Sequence, residues 1–384
     1  MKCAIINDEK MKMQELSSNI LFIMHMPPPV HGAAMMGKYI HDSRVINEAF
    51  DCHYINLTTA RDLTDIGKVG IRKLRQFFVL LKQIRNEVGR LNPKLVYVTP
   101  NACGGAFYKD FIVVQMLKRM GCLVVVHYHN KGVAKRQDRL FDDFLYKRFF
   151  KHLKVILLAE ALYSDVKKYV KREDVYICPN GIPETLPTEP MAERHNEIPH
   201  LLFLSNLLES KGVLVLLDVC KILKERGYRF ICDFVGGETA EIDALRFVRE
   251  VENRNLTGFV MYHGRKYGEE KAIFWQNADI FVFPTYYYNE CFPLVLLEAM
   301  QHGIACISTC EGGIANIIEN SKTGFLVDKQ NPIQVAEKIE QLMKYPNLII
   351  QLGKEGRKRY EKCFTLNVFE NRMQSILKEL VASK

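Results

Sequence analysis

Two glutamates, Glu290 and Glu298, stand at the ends of an apolar run, NECFPLVLLEAM, at residues 289–300. A single acid at such a place is ordinarily a solvated carboxylate near a helix start, where the helix dipole favours it. That explanation fits poorly here, because the seven residues between the two acids leave little polar surface. Two carboxylates in an apolar setting can instead accept hydrogen bonds from the hydroxyl groups of a bound ligand.

Pro293 predicts a helix start between the two acids, because proline favours the first helical position. The backbone N–H groups of Leu294 and Val295 would then have no partner inside the helix and would attract an anion. Glu290 would precede the helix, and Glu298 would lie about one turn inside it. This arrangement suits a diphosphate sugar, with one acid at the sugar and the other at the nucleoside ribose.

The chain has 384 residues, of which 48% are hydrophobic, enough for two domains of about 150 to 200 residues each. No stretch approaches the roughly 18 uncharged apolar residues that a membrane-spanning helix needs. Residues 1–18 are charged and lack the apolar segment of a secretory signal, so we interpret them as a loose, disordered leader or an over-long start and expect a cytoplasmic protein. The 11 cysteines include no CxxC pair, which favours reduced thiols over disulfides or a zinc site.

The basic charge is concentrated in the first half of the chain. Residues 66–154 contain 19 lysines and arginines against 5 acidic residues, a balance of +14. Two amphipathic segments, IRKLRQFFVLLKQIR and LYKRFFKHLK, place Phe77, Phe78, Phe149 and Phe150 among these bases. Basic amphipathic helices bind anionic lipid, so we expect peripheral association with the cytoplasmic face of the inner membrane. The alternative is that the aromatic residues belong to the core and that only the charges face solvent.

Apolar, β-rich runs alternate with helical periodicity along the chain, beginning with ILFIMHM, LVYVTP, CLVVVHYH and VILLAE. This alternation is typical of parallel sheets in α/β proteins. Five prolines fall within residues 179–199, a segment that suits neither a helix nor a central strand. The alternation resumes afterwards with LLFLSN, FICDFVGG and DIFVFPT, so we predict two doubly wound α/β domains.

Several motifs resemble, in the same order, those of the family 4 retaining glycosyltransferases. The glycine loop of that family is similar to PPPVHGAAMMG, its histidine-tipped strand to VVVHYHNKG, its PNG motif to VYICPNGI and its phosphate-binding loop to LLFLSNLLESKG. Its E-x7-E region resembles NECFPLVLLEAMQHGIACISTCEGGIANIIENSKTGFLVD, and the likeness covers most of residues 19–375. The resemblance implies the GT-B fold, in which two Rossmann-like doubly wound domains face each other across a cleft.

The same resemblance sets the expected domain bounds. An N-terminal acceptor domain covers residues 19–183 and is completed by a C-terminal crossover helix at 362–384. A linker occupies 184–199, and a nucleotide-sugar domain covers 200–361.

The resemblance also assigns roles to single residues. It implies that Glu290 contacts the donor sugar and that Lys211 binds the diphosphate. His129 would face the reacting sugar, with His127 supporting it, so the catalytic residues are expected to be His129, Lys211 and Glu290. The residues expected to bind the donor are Gly32, Asn206, Lys211, Arg265, Phe292, Leu294, Val295 and Glu298.

The chain departs from the family pattern at two places. Ser205 and Asn206 stand where the family usually has Gly-Arg, so one cation for the phosphates is missing. Arg265 and the predicted helix starts are the candidates to replace it. Asn316 stands where the family has a glutamate after a glycine pair.

These features predict a hexosyltransferase-like retaining glycosyltransferase. It would move a sugar from a nucleoside-diphosphate sugar to a glycan or lipid-linked acceptor in polysaccharide biosynthesis, with a UDP-sugar favoured over a GDP-sugar. Lys211 and helix amides would stabilise the leaving diphosphate, and the sequence has no DxD motif for a metal. We therefore expect no metal, no cofactor beyond the donor, and no nucleic-acid partner.

Two other functions remain open at this stage. A nucleotide-sugar 2-epimerase shares the two-domain architecture and would convert the donor without an acceptor, but its catalytic acids are not evident in this sequence. A non-catalytic binding or scaffold subunit of a glycan assembly complex would fit the missing arginine and the basic face. Incubation with donor alone identifies an epimerase, and tight binding without turnover identifies a scaffold.

Overall fold

The computed structural model describes residues 18–57, 71–185 and 196–383. The predicted leader, apart from its last residue, and residues 186–195 of the predicted linker lie outside these ranges. The described chain divides into two compact units. The first comprises Met1–Leu158, Leu162–Pro179 and Asn367–Lys384, and the second comprises Ala159–Ala161 and Asn180–Leu366.

The first unit contains a parallel sheet of six strands. These strands are β1 (Asn19–Met24), β2 (Asp51–Asn56), β3 (Leu95–Val98), β4 (Val124–Tyr128), β5 (Lys154–Leu157) and β6 (Val175–Ile177). Its helices are α1 (Gly32–Asp42), α2 (Arg44–Ala49), α3 (Ile71–Leu91), α4 (Gly104–Arg119), α5 (Val133–Arg136), α6 (Leu140–Phe150) and α7 (Tyr163–Val166).

The second unit contains another parallel six-stranded sheet. Its strands are β7 (His200–Leu204), β8 (Ile231–Val235), β9 (Val260–Tyr262), β10 (Ile280–Phe283), β11 (Ala305–Thr309) and β12 (Gly324–Val327). Its helices are α8 (Val213–Glu225), α9 (Ala244–Asn253), α10 (Gly268–Asn277), α11 (Leu294–Gln301), α12 (Ile314–Ile317), α13 (Pro332–Lys344) and α14 (Pro346–Cys363). A final helix, α15 (Leu366–Ala382), belongs to the first unit from Asn367 onwards.

Burial on both faces explains the composition of the central strands. Every residue of β3, β4, β10 and β11 is buried, which is why these strands are nearly continuous hydrophobic runs.

Helix starts follow local capping rules. The side chain of Asn331 accepts a hydrogen bond from the Gln334 amide at 3.1 Å, with Pro332 at the first position of α13.

Strand order fixes where each sheet can hold a ligand. The first sheet runs β2-β1-β3-β4-β5-β6, and the second runs β12-β11-β10-β7-β8-β9. In each sheet the winding reverses once, between β1 and β3 and between β7 and β10. Ligands of open parallel sheets bind outside the carboxyl ends of the strands at such a reversal. The predicted α/β class with two doubly wound sheets is confirmed.

Helix α15 packs into the first unit. Phe369, Met373 and Leu377 on this helix are buried. Its Gln374 side chain donates to the Val45 carbonyl at 2.8 Å, and the Tyr176 hydroxyl donates to Glu379 at 2.8 Å. The first unit is therefore completed by the last segment of the chain.

The aromatic residues among the bases are mostly core residues. Phe77, Phe149 and Phe150 are buried, and only Phe78, at 61% exposure, faces solvent. The structure therefore supports the alternative, a place in the core, for three of these four residues. Phe149 and Phe150 instead pack against other rings of the first unit, among them Phe107 and Tyr146. Within the described ranges, no helix is long and apolar enough to cross a membrane.

Gly37 on α1 allows this helix to lie close to the chain that leaves β1. A Cβ atom at this position would stand 1.9 Å from the backbone carbonyl oxygen of His25. Gly32, at the start of the same helix, has open space around it. Gly37, and not Gly32, is therefore the glycine of this loop at which the helix backbone lies close to the backbone of another segment.

We predict that Gly37→Ala destabilises the first unit and that Gly32→Ala does not. Overpacking against a fixed backbone atom costs about 1 to 3 kcal/mol, which lowers the midpoint of thermal unfolding by several degrees in a unit of this size. Thermal unfolding of both variants beside the wild type measures the difference. Equal midpoints for the two variants would contradict the packing described for α1.

Candidate functional site

The reversal in the second sheet brings together the loops that follow β7 and β10, because these two strands pair in parallel. The loop after β7 ends in a 3₁₀ turn, Glu209–Lys211, that leads into α8. The carbonyl of Ser210 accepts hydrogen bonds from the Tyr286 amide at 2.8 Å and from the Thr285 hydroxyl at 3.3 Å. Residues that are distant in sequence are thus locked side by side at the carboxyl edge.

Gly212 permits this contact. Its φ of 91° lies in the left-handed region, and a Cβ atom there would stand 2.4 Å from the carbonyl oxygen of Pro284. Any other residue would push the two loops apart.

Lys211 and Glu290 form an ion pair at this edge. The distance from Lys211 Nζ to Glu290 Oε2 is 2.5 Å, and the two side chains are only 16% and 10% exposed. The ammonium also lies 4.6 Å from the centroid of the Tyr287 ring, a cation–π contact. The structure therefore brings together two of the three residues expected to be catalytic, in a partly buried pair whose net charge is zero.

The start of α11 offers free backbone donors. Pro293 is the residue before this helix, rather than its first residue as predicted, and its carbonyl accepts from the Leu296 amide at 3.2 Å. Among the described residues, the amides of Leu294 and Val295 have no hydrogen-bond acceptor. The helix start can therefore receive an anion, as the sequence indicated.

Phe292, which was expected to bind the donor, has a buried side chain. It is 4% exposed, and its ring lies 5.7 Å from the ring of Phe364. Its carbonyl accepts a hydrogen bond from Asn180 at 3.3 Å. Its side chain therefore serves the core of the second unit.

Glu298 forms an ion pair that the sequence did not suggest. Its Oε2 atom lies 2.5 Å from Nζ of Lys271, which is on α10, and each side chain is 23% exposed. The Oε2 atom is buried, and no donor within the described chain is aligned to form a hydrogen bond with it. The second acid of the pair is thus held by a cation 27 residues earlier in the chain.

Asn206 and Arg265 lie near each other around Gly237, which follows β8. The Asn206 side chain accepts a hydrogen bond from the Gly237 amide at 3.3 Å. A Cβ atom on Gly237 would stand 2.3 Å from Nη2 of Arg265, so the guanidinium covers the face of this glycine. In the part of the chain that the structure describes, Arg265 has no ion pair, and its side chain is exposed.

The loop after β11 closes against the segment that precedes α11. The Gly313 amide donates to the Cys291 carbonyl at 2.6 Å, and Lys329 pairs with the buried Glu311 at 2.6 Å. Asn316 Oδ1 is buried without a hydrogen-bond donor among the described residues. The Asn316 side-chain oxygen therefore accepts no hydrogen bond within the described protein that the family's glutamate could have accepted in its place.

The reversal in the first sheet carries a cluster of histidines. His25 follows β1, His129 follows β4, and His31 precedes α1, where its Nδ1 accepts from the Ala34 amide at 3.3 Å. The cluster is electrically coupled, since the charge on His25 or His31 would disfavour protonation of His129. Three imidazoles therefore cluster at the carboxyl edge of the first sheet.

Burial keeps these imidazoles neutral. It lowers the pKa of His25 to about 4, with smaller effects from His31 and Lys109, and it lowers the pKa of His129 to about 3. Both ring nitrogens of His129 are buried without a hydrogen-bond partner in the described chain. His127 lies against His129 with ring centroids 4.3 Å apart, and its Nδ1 is 2.7 Å from the Tyr97 hydroxyl.

The described residues contain no group of three His, Cys, Asp or Glu side chains that could hold a metal ion. The polar groups at the reversal of the second sheet are donors from lysine, arginine and backbone amides, opposed by single carboxylates. Such a set suits an anionic ligand with hydroxyl groups.

Comparison with known proteins agrees with this chemistry. Residues 189–359 match the family of glycosyl transferases group 1. This segment, which is similar to group 1 glycosyltransferases, contains Lys211, Arg265, Glu290 and Glu298.

Two relatives of the chain are named for polysaccharide biosynthesis. The capsular polysaccharide biosynthesis glycosyltransferase CapM of Staphylococcus aureus is 28% identical over 176 residues, which are 45% of this chain and 44% of CapM. The putative colanic acid biosynthesis glycosyltransferase WcaL of Escherichia coli K12 is 27% identical over 280 residues, 70% of this chain and 68% of WcaL. The chain thus aligns with less than half the length of CapM and with about two thirds of WcaL.

Solved structures share the fold of the group 1 domain and of the unit before it. Sucrose-phosphate synthase from Thermosynechococcus elongatus has a TM-score of 0.73 at 18% identity, over 96% of this chain and 100% of that one. HepE from Anabaena in complex with UDP has a TM-score of 0.71 at 14% identity, over 94% of this chain and 100% of that one. The GT-B fold expected from the sequence is confirmed.

Sequence reasoning missed three polar residues beside the expected ones. His25 and His31 carried a positional signal, because one ends the first strand and the other caps the helix that follows. Lys271 carried none, because its partner Glu298 lies on a different helix. Gly32 was expected to let backbone approach a phosphate, and the structure places it at the first position of α1 with open space around it.

We predict that His129→Gln reduces the loss of stability on mild acidification. A histidine in the unfolded chain binds a proton below about pH 6.5, whereas His129 stays neutral in the folded protein down to about pH 3. Because only the unfolded state gains this proton, the free energy of unfolding falls as the pH drops below 6.5. The contribution of His129 between pH 7 and 5 is about 2 kcal/mol.

Urea unfolding at pH 7 and pH 5 measures this effect as the difference between wild type and variant. Asp110, whose pKa is raised to about 6 by burial, acts in the opposite direction but is present in both proteins and cancels. An identical pH dependence of the two proteins would show that His129 is protonated in the fold.

Proposed function

We propose that the protein is a retaining, hexosyltransferase-like glycosyltransferase. It transfers a sugar from a nucleoside-diphosphate sugar to a glycan or lipid-linked acceptor during polysaccharide assembly. The observation that carries this proposal is the Lys211–Glu290 pair at the sheet reversal of the group 1 domain, beside the free amides of α11. The names of CapM and WcaL support the polysaccharide context, and HepE, solved with UDP, supports a UDP-sugar over a GDP-sugar.

Lys211 and the start of α11 would stabilise the leaving diphosphate. When the bond to the sugar breaks, negative charge grows on the phosphate oxygens, and fixed donors aimed at that charge lower the barrier. The Lys211 ammonium retains two further protons beyond its contact with Glu290, and the amides of Leu294 and Val295 add two more donors. We propose that these protein groups take the role that a metal has in other transferases.

Glu290 would bind the sugar that is transferred. Its carboxylate is buried and oriented by Lys211, so its second oxygen can accept a hydrogen bond from a sugar hydroxyl without reorganisation. Among the described residues, the Glu290 carboxylate contacts Lys211 and no second carboxylate. Glu290 therefore has no adjacent acid that could serve as its partner in a two-step mechanism with a carboxylate nucleophile. We therefore propose same-face attack, in which the leaving phosphate accepts the proton of the acceptor hydroxyl.

His129 would contact the reacting sugar in its neutral form. A neutral imidazole has one donor and one acceptor nitrogen, so it can bind a hydroxyl without adding charge. The low pKa of His129 keeps it in this form throughout the physiological range.

Arg265 would supply the net positive charge of the donor site. Three lysines around the carboxyl edge are each balanced by a carboxylate, in the pairs Lys211–Glu290, Lys271–Glu298 and Lys329–Glu311. Arg265 is not balanced in this way within the described ranges, and it lies over Gly237 beside Asn206. We propose that its guanidinium binds a phosphate of the donor, and Gly237 leaves room for it.

We predict that Lys211→Ala and Arg265→Gln each weaken the binding of UDP by about tenfold to a hundredfold while leaving the binding of uridine unchanged. A charged hydrogen bond contributes about 1.5 to 3 kcal/mol, and only UDP carries the diphosphate. Isothermal titration of UDP and uridine measures both affinities. Lys354→Ala, which removes an exposed lysine of α14, is the matched control and should bind like the wild type.

Absence of UDP binding by the wild type would overturn the choice of nucleotide, and a thermal-shift screen of ADP, GDP and dTDP would then test the wider class. A ligand at about 100 times its dissociation constant adds roughly 2.7 kcal/mol. If no nucleoside diphosphate binds, the proposed function is wrong. Equal losses of UDP and uridine in the variants would contradict the phosphate roles.

We further propose that the first unit docks on an anionic membrane. Helices α3 and α6, which both contact α4, expose apolar side chains that the sequence pattern had not distinguished from buried ones. These residues are Leu74, Phe78 and Val79 on α3, and Leu140, Phe141 and Phe144 on α6, each more than half exposed. Exposed bases stand among them, and Arg148 lies 5.2 Å from the centre of the Phe144 ring. Apolar groups flanked by bases match an anionic bilayer.

We predict that the double variant Phe78→Ser, Val79→Ser reduces flotation with anionic liposomes at least several-fold at low salt. Both side chains are 61% exposed, so their replacement leaves the core intact. Leu245→Ser, which removes a side chain 75% exposed on α9 of the other unit, is the control and should float like the wild type. Flotation should also fall with rising salt, because the Debye length is about 8 Å at physiological ionic strength. Equal flotation with neutral and anionic liposomes would contradict an electrostatic contribution.

A further inference from the structure

The ammonium of Lys211 contacts aromatic rings as well as the Glu290 carboxylate. Its Nζ atom lies 4.6 Å from the centre of the Tyr287 ring and 5.6 Å from the centre of the Phe283 ring. The face of an aromatic ring attracts a cation that stands within about 6 Å of the ring centre, and more strongly where water is excluded. The Lys211 side chain is only 16% exposed. The nearer ring, that of Tyr287, therefore interacts with the ammonium more strongly than the other.

A single turn of the chain carries both this ring and the carboxylate that contact the ammonium. The Glu290 amide donates to the Tyr287 carbonyl at 2.8 Å, which closes the turn. The Tyr287 amide donates to the Thr285 hydroxyl at 3.2 Å, and the Tyr287 hydroxyl accepts from the Asn289 side chain at 3.4 Å. The Tyr287 ring is therefore held in place from its backbone and from its hydroxyl.

The ring and the carboxylate affect the binding of a diphosphate in different ways. The Glu290 carboxylate accepts hydrogen bonds from the ammonium, as a phosphate would, so the two compete for the same protons. The Tyr287 ring is neutral and attracts the charge through its face, so it does not compete in this way. A lysine side chain is long and flexible, and an ammonium that leaves a carboxylate loses its position unless another contact remains. The Tyr287 ring provides such a contact.

We propose that Tyr287 is a positioning residue for Lys211, which keeps the ammonium in place while a diphosphate competes with Glu290 for it. This inference rests on the proposed function, which supplies the diphosphate. Tyr287 acts through Lys211, so it strengthens the binding of a nucleoside diphosphate and not that of the nucleoside alone. A role is thereby assigned to the middle one of the three tyrosines that precede Asn289.

The first experiment measures the dissociation constants of UDP and uridine with the full-length protein. We expect Tyr287→Leu to weaken the binding of UDP about threefold to tenfold, because the attraction of the ring for the cation is lost. The binding of uridine should not change. Tyr287→Phe keeps the ring face and should restore the affinity for UDP to within about twofold of the wild type. Equal losses of UDP and uridine in Tyr287→Leu would overturn the inference.

A second experiment tests the electrostatic origin of the effect. Fluorinated phenylalanines, with one, two or three fluorine atoms on the ring, are introduced at position 287 by nonsense suppression. Fluorine withdraws electron density from the face of the ring and changes its shape little, so the affinity for UDP should fall with each added fluorine. These variants keep the ring and remain informative if Tyr287→Leu folds poorly. An affinity for UDP that does not depend on fluorination would overturn the inference.

A double-mutant cycle tests whether Tyr287 acts through Lys211. In a Lys211→Ala protein, the further change Tyr287→Leu should alter the affinity for UDP by less than about twofold, because the cation that the ring holds is absent. The same loss in the Lys211→Ala protein as in the wild type would show that the ring binds UDP directly. That result would overturn the inference.

Tyr345→Leu is the matched control. It removes a lysine–tyrosine contact of the same kind, in which Lys344 Nζ lies 5.5 Å from the centre of the Tyr345 ring, at an exposed position between α13 and α14. This variant should bind UDP like the wild type. Unchanged affinity for UDP in Tyr287→Leu would overturn the inference while leaving the proposed function standing. Failure of the wild type to bind any nucleoside diphosphate would overturn the proposed function and this inference together.

Discussion

The parallel pairing of β7 with β10 is the constraint on which the candidate site depends. The chain reverses its winding between these strands, so the loops that follow them leave the same edge and then part. This geometry brings Lys211 within 2.5 Å of Glu290, although 79 positions separate them. The loops are fixed by Ser210, whose carbonyl is shared by two donors from the other loop. A site formed in this way is rigid before any ligand arrives, which is what electrostatic catalysis requires.

Charge balance gives the site a second property. Buried ions are costly unless they are paired, and each partly buried lysine at the carboxyl edge contacts a carboxylate. The ligand-free protein therefore holds its functional groups without a large excess of charge. Under the proposed function, a diphosphate that enters would compete with these carboxylates for the same ammonium groups. Binding would then be an exchange of ion-pair partners, and the released carboxylates could accept hydrogen bonds from hydroxyl groups.

Sequence patterns predicted what is local and missed what is long-range. The strands were recognised because burial on both faces makes them continuous apolar runs, and the helix after Pro293 was recognised because proline marks its start within one residue. The same patterns could not say which face of a helix is buried, so they left open whether Phe149 and Phe150 lie on the surface or in the core. They also could not reveal the contact of Lys271 with Glu298, because that contact is set by the packing of two helices. The family resemblance placed Glu290 and Lys211 in one site, and the structure shows them in contact.

The two units differ in how continuous their segments are along the chain, and therefore in when each can fold during synthesis. Apart from three residues at Ala159–Ala161, the second unit is one continuous segment, and all of its strands can pair as soon as that segment has left the ribosome. The first unit begins earlier but also needs Asn367–Lys384, which are synthesised after the second unit. The pocket in its core that receives Phe369, Met373 and Leu377 must stay open while about 190 residues are translated. The first unit, although it starts first, can therefore complete its core only after the second unit has been synthesised.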